Sequence, residues 1–400
     1  MDTAADVKLA PKFGRKHYII YALLLVGFFF PSSYHGIQLK ICFFIISFLL
    51  LASFSFFIKL NRLNIIFFAA ANLSLAIFTI WASLWFSEYS FGVYFNFFPF
   101  TVLLLTNFRG YPGKRAESIG NFQLMVTWLI IILGVGIILG NDFIDNFLIN
   151  FYSFAYESLL PNMLAARKPV MTFGTHSVAA FFLFFLFFFN IKTYRVIGRL
   201  KYLITSIVVL LLLIFIRSNT ALGYSCLAFI ILIGTFAKRK SSLFIAGGII
   251  VGIFLYVSVI DPTIIEVFSN YNVLDILTSN SNGLAGRYSN DSVLKPTIDY
   301  IIENPLIPVG LTFSKKLYFT DSGFILYLVR GSIFLVFAIY LGFYSFLKNN
   351  MIDKPLIKYV FFFFIIFEIG YPMLVDFRVM CFIPFMVIYL NYLKDISAEG

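Results

Sequence analysis

Charge is what this sequence has least of. Charged residues fill 12% of its 400 positions, about half the share usual in soluble proteins. Cysteine is rarer still: Cys42, Cys226 and Cys381 each sit in an apolar run, far from any CxxC spacing. Neither a disulfide framework nor a zinc site is on offer. The chain has no P-loop, no GxGxxG at a strand-to-helix turn and no H-x-x-H or paired acidic motif, so nucleotide hydrolysis by a soluble domain is excluded. No metal and no cofactor are expected. Any chemistry must use a substrate energised elsewhere.

What is present is apolar. Hydrophobic residues make up 60% of the chain and aromatic ones 20%, with 54 phenylalanines. Runs of about 17 to 25 apolar residues are membrane-helix candidates. Twelve are counted, at approximately 18–33, 41–58, 65–86, 91–108, 121–140, 174–190, 202–216, 221–237, 243–260, 323–347, 359–375 and 380–393. The expected class is an all-α polytopic integral membrane protein, with residues 1–400 forming a single transmembrane domain. With a cytoplasmic N-terminus, 20 of the 30 lysines and arginines fall in inner segments, as the positive-inside rule requires. Both termini are then cytoplasmic. The net charge of +11 is a topology signal, and no nucleic-acid partner is expected. The first run lacks a cleavage pattern and is read as retained.

Two outer segments interrupt the hydropathy. The segment 141–173 is aromatic and half-apolar, which suggests a helix lying in the interface; it ends in Arg167-Lys168, with His176 just beyond. An arginine–lysine pair there anchors to lipid headgroups or clamps a phosphate. His176 stands at the membrane rim. The segment 261–322 is the longest without membrane-grade hydrophobicity, and loops of that length are functional or disordered. It keeps Ile, Leu, Phe and Tyr throughout, which argues against disorder. Within it, NDSVLKPTIDYIIENP predicts a helix: Asn290, Asp291 and Ser292 offer caps, Pro296 fits the first turn, and Asn304-Pro305 stops it. Arg287 precedes that helix and Asp321 closes the segment.

Several cations run against the hydropathy. Arg217 ends an apolar run on the outer side, where basic residues are disfavoured, although a snorkelling side chain would account for it. Arg330 lies inside a run, roughly 10 Å below the outer surface at about 1.5 Å per residue. Intramembrane charges are costly and usually paired; Glu368, at similar depth in the next run, is the expected partner. That pair would be a staple between helices or part of a binding site. Arg378 stands in the last outer turn.

The order of these features resembles the Wzy-type polymerases of bacterial O-antigen, capsule and exopolysaccharide, relatives of the O-antigen ligases. The stretches carrying the resemblance are RKPVMTFGTHSVAAFF at 167–182, RSNTALG at 217–223, GRYSNDSVLKPTIDYIIENPLIPVG at 286–310 and DSGFILYLVRGSI at 321–333. The first half matches in hydropathy alone. The family's Arg-x10-Gly spacing is absent, since Val178 and Ile298 stand eleven positions past Arg167 and Arg287; the division of roles between the two loops stays open.

The resemblance implies about 12 transmembrane helices in a GT-C-like architecture, with a large, partly helical periplasmic loop between helices 9 and 10. It implies a glycosyltransferase of the bacterial inner (cytoplasmic) membrane acting on undecaprenyl-pyrophosphate-linked oligosaccharides. Membrane lipids, a chain-length regulator and a flippase are the implied partners. A departing pyrophosphate needs fixed cations, and arginine supplies a permanent charge in a bidentate fork. The roles implied are Arg287 and Arg217 on the pyrophosphate and Asp321 on the acceptor hydroxyl. Arg330, Arg167, His176 and Arg378 are binding candidates. A ligase or other lipid-linked sugar transferase, and a flippase or transporter, are the alternatives.

Overall fold

The computed structural model describes residues 15–31, 61–89, 91–108, 117–152, 159–236, 294–305, 307–312 and 322–399, together with 33–34, 37–38, 42, 45–46, 49, 292 and 317. The expected run at 243–260, most of 41–58, and the candidates Arg287 and Asp321 lie outside the described residues. The remainder is helical apart from short connections. In chain order the helices are α1 (Arg15–Phe29), α2 (Arg62–Ala82), α3 (Phe91–Leu103), α4 (Glu117–Leu139), α5 (Asp142–Tyr152), α6 (Leu159–Ala165), α7 (His176–Ile197), α8 (Leu200–Phe215), α9 (Asn219–Phe236), α10 (Lys295–Glu303), α11 (Gly323–Asn350), α12 (Lys354–Gly370) and α13 (Phe377–Glu399). A two-residue antiparallel ribbon, β1 (Ser33–Tyr34) against β2 (Ile37–Gln38), follows α1.

Ten of the twelve expected runs coincide with helices of this set. Five, α2, α4, α7, α11 and α13, are long and apolar enough to cross a membrane. The protein is a helical membrane protein on that count. The run at 359–375 is displaced, because α12 begins at Lys354 and stops at Gly370: Pro372 cannot continue the helix. Asp376 then starts α13 by accepting from the N–H groups of Arg378 at 2.9 Å and Val379 at 3.3 Å, as an N-cap does. Among the described residues of the 141–173 segment are two short helices, α5 and α6. The helix expected after Asn290 appears as α10, with a proline in its first turn and Asn304 beyond its end.

α7 is the axis. Every residue from Ser177 to Ile191 is buried, and its phenylalanines pack edge-on against α12 and α13. Phe184 meets Phe363 at 4.9 Å and 82°, and Phe185 meets Phe382 at 5.4 Å and 63°. Lipid is as apolar as phenylalanine, so burial against lipid gains little; close packing and ring quadrupoles must hold such helices together. Gly198, at φ +76°, turns α7 into α8 with no Cβ penalty. α2 takes the opposite part. It turns Ile65, Ile66, Leu73, Ile77 and Ile80 outward and packs Ala71, Ser74 and Leu75 inward, against α11.

The bundle has two chemically different ends. At the end where α11 stops, amides tie the helices together. Asn64 donates to Leu104 O at 2.7 Å and accepts from Ser345 at 2.6 Å. Asn350 accepts from Phe108 N–H at 2.5 Å and donates to Thr106 O at 3.2 Å, and Asn391 donates to Asn350 O at 2.8 Å. At the end where α11 begins, arginines and carboxylates do this work.

Candidate functional site

α11 is broken in its outer part. Gly331 (φ −151°, ψ 23°) and Ser332 (φ 58°, ψ −166°) leave helical geometry. Ser332 occupies a region that is essentially glycine's own, at a cost of about 1–3 kcal/mol. The sequence expectation of one uninterrupted run at 323–347 is corrected here. A Gly-Ser pair is a known place for a sharp kink, but apolar neighbours hid it.

A break at membrane depth releases backbone groups, which must find partners within the protein. Three successive carbonyls do. Val329 O accepts from Val309 N–H at 2.7 Å, Arg330 O from Gly310 N–H at 3.0 Å, and Gly331 O from the Ser74 hydroxyl at 2.9 Å. The segment 307–312 thus lies against the break, with the Val309 and Gly310 N–H groups on successive carbonyls. It is held from the other side by α2: Thr79 Oγ1 accepts from Leu311 N–H at 2.8 Å, and any side chain at Gly310 (φ +56°) would run into the Thr79 backbone. Tyr89 pairs with Thr312 at its far end.

Arg330 closes this arrangement. It is buried, and Nη1 donates to Gly310 O at 2.9 Å and Thr312 O at 2.6 Å. The expected Arg330–Glu368 ion pair does not form. Glu368 Oε1 instead accepts from Leu374 N–H at 2.6 Å, and Oε2 from the Tyr340 hydroxyl at 3.4 Å. The physical reason is local. The 307–312 segment presents the Gly310 and Thr312 carbonyls to Arg330, and the short 3₁₀ turn Met373–Val375 presents an N–H to Glu368.

Arg378 is also buried and also spent on backbone. It donates to Thr172 O at 2.7 Å and Phe30 O at 3.1 Å, joining the segments that follow α1 and precede α7. Its guanidinium stands about as far from the Phe173 ring (5.9 Å) as from the Phe377 ring (5.8 Å). Two of the seven sequence candidates are therefore anchors of the scaffold.

Arg167, Arg217 and His176 keep access to the surface. Arg167, the left-handed residue after α6 (φ 53°), is exposed and pairs with Asp145 at 2.8 Å over Gly140. Its neighbour Lys168 is half-buried. Burial, and then the charge of nearby Arg217, hold the Lys168 ammonium below the usual lysine range. Arg217 is half-buried too, with φ 52°. α8 is shorter than α7, so counting back from the turn after Gly198 sets Arg217 opposite Ala180, roughly 6 Å inside His176 at about 1.5 Å per residue. His176, half-buried, begins α7 just after the capping Thr175.

Left-handed non-glycine residues gather here as well. Arg167, Met171, Arg217 and Ser332 all belong to the arginine end, where backbone strain of this kind often marks function. Lys168 entered the sequence reading only as half of the Arg167-Lys168 pair. Its signal was adjacency to Arg167, but nothing in the sequence told which of the two faces inward. Compared with protein-family models, with curated proteins and with solved structures, the chain shows no significant match.

Proposed function

We propose that this protein is a membrane glycosyltransferase that polymerises undecaprenyl-pyrophosphate-linked oligosaccharide repeat units, as the Wzy-type enzymes that its second half resembles do. In this reading the chain makes about twelve spans in a GT-C-like arrangement, in the bacterial inner membrane. Both termini lie in the cytoplasm, and the arginine end faces the periplasm. The observation that carries the reading is the cation pair at that end: Lys168 and Arg217 are both half-buried, and close enough for the charge of one to bear on the other. Paired cations in a partly dry site suit a leaving pyrophosphate, which gains negative charge as the glycosidic bond to it breaks.

The chemistry balances without a redox step. The acceptor hydroxyl oxygen of an incoming lipid-linked unit forms a bond to the anomeric carbon of the growing chain. The bond from that carbon to the pyrophosphate oxygen breaks, and its electron pair leaves with the pyrophosphate. The hydroxyl proton passes to a carboxylate, the role given to Asp321. Arg287 and Arg217 hold the pyrophosphate, with Lys168 beside Arg217; Arg167 and His176 line the approach. Arg330 and Arg378 serve from behind, as anchors of the segments that carry these groups. A chain-length regulator and a flippase are the partners such an enzyme would meet.

The broken α11 favours a second reading, because discontinuous helices are a transporter device. Its released carbonyls are taken up by Val309, Gly310 and Ser74, which suits a fixed joint better than an ion site. The test is Arg287→Ala at normal abundance in cells without the native gene. Surface glycan should carry at most one repeat unit. Full-length chains would remove Arg287 from the site, whereas long chains stranded on the carrier lipid would point to a ligase.

A further inference from the structure

We propose that Glu368 is a positioning residue for the transfer site: it seats the outer half of α11, residues Gly323–Arg330, and with it the point where the chain re-enters the bundle after the 261–322 segment. The inference rests on the reading above in that Ser322 is the chain neighbour of Asp321, the residue given to the acceptor hydroxyl.

The geometry behind it is specific. Glu368 is fully buried on α12. Its carboxylate stands so close over Gly323 that a Cβ there would overlap Oε2, and the Pro372 Cα lies 3.3 Å from the same point. A side chain at 323 would therefore have to displace the Glu368 carboxyl group. The adjoining Ser322 is the N-cap residue of α11. The carboxylate is aimed from its other sides by Leu374 N–H and the Tyr340 hydroxyl. Tyr327, on the outer half-helix, faces it from within.

The break at Gly331–Ser332 makes such a seat necessary. Residues 323–330 lack the continuous hydrogen-bond ladder that would fix them to the rest of α11. Their lower end is held through Arg330 and the 307–312 segment. Their upper end rests on Glu368. Loss of either hold leaves a short half-helix free to tilt about the break, and a tilt at the upper end moves Ser322 most. A displacement of about 1 Å at a reacting group is enough to cost on the order of a hundredfold in rate.

The test uses the full-length protein in membranes, with Ser322→Cys as a reporter. Ser322 is fully buried, so the reporter thiol should resist a membrane-impermeant maleimide while Glu368 is present. Glu368→Ala should speed labelling about tenfold or more, because local opening sets that rate. The same variant should lower kcat for chain extension and leave KM for the lipid-linked unit unchanged. Gly323→Ala, which displaces the carboxylate without removing it, should do likewise, and covers the case in which Glu368→Ala does not fold. Glu368→Gln keeps an acceptor for Leu374 N–H and should restore most of both properties. Protection of the reporter thiol in Glu368→Ala and Gly323→Ala alike would overturn the inference and leave the polymerase reading standing. Fast labelling with undiminished chain extension would mean that residues 321–322 are not at the acceptor, and the polymerase reading would fall with the positioning role.

Discussion

The two ends of this bundle solve one problem with different residues. Helices that end near a membrane surface leave backbone groups in need of partners. At one end, Asn64, Asn350 and Asn391 meet that need. An amide donates and accepts at once and carries no charge, so it is a cheap way to bind loops together. At the other end the same service falls to Arg330 and Arg378, whose burial costs far more. Two buried carboxylates, Glu368 and Asp376, serve backbone N–H groups there. An end that needed only to be closed could have used amides. The use of charge, together with the strained Arg167, Arg217 and Ser332, is why the proposed site is put at the arginine end.

That comparison can be broken. Arg217→Ala should give the largest change, a loss of about 100- to 1000-fold in chain extension, the usual cost of removing one charge-stabilising donor, with folding intact. Arg217→Lys should remain poor, since lysine lacks the fork. Arg378→Ala should act on stability instead. It strands the Thr172 and Phe30 carbonyls, at about 1–3 kcal/mol for each buried group left without a partner. A thermal-stability assay in detergent should show the drop. Asn350→Ala should cost about 1–3 kcal/mol in the same assay on the same grounds, and leave activity per folded molecule unchanged. Arg167→Ala should do least, below about 1 kcal/mol, because its pair with Asp145 is exposed.

How far the sequence reached depends on which partners matter. Apolar runs marked ten helices because membrane burial is a property of composition over a length, and Pro372 and Asp376 explain where one boundary moved. The helix after Asn290 was legible from its first-turn proline and its Asn-Pro stop, but its N-cap is Leu294, which makes no side-chain cap, and not the expected Asn290, Asp291 or Ser292. The fate of Arg330 was not. Reasoning from side chains alone pairs a buried cation with the nearest carboxylate in depth, and Glu368 fitted. The partners turned out to be backbone carbonyls, brought within reach by a break that a Gly-Ser pair inside an apolar run signals only faintly. Phenylalanine runs posed a similar difficulty. Composition cannot tell the α7 phenylalanines, buried on every side, from residues that face lipid. The Arg167-Lys168 pair was legible, but which of the two is exposed and which half-buried was not.

The claim that the arginine end works and the amide end only holds is tested most directly by one measurement on two variants. Surface glycan length and protein abundance would be read together for Arg217→Ala and Asn350→Ala, in cells lacking the native gene. The account predicts normal abundance with single repeat units for Arg217→Ala, and reduced abundance with chains of native length for Asn350→Ala. Native-length chains from Arg217→Ala, or shortened chains from well-expressed Asn350→Ala, would contradict it.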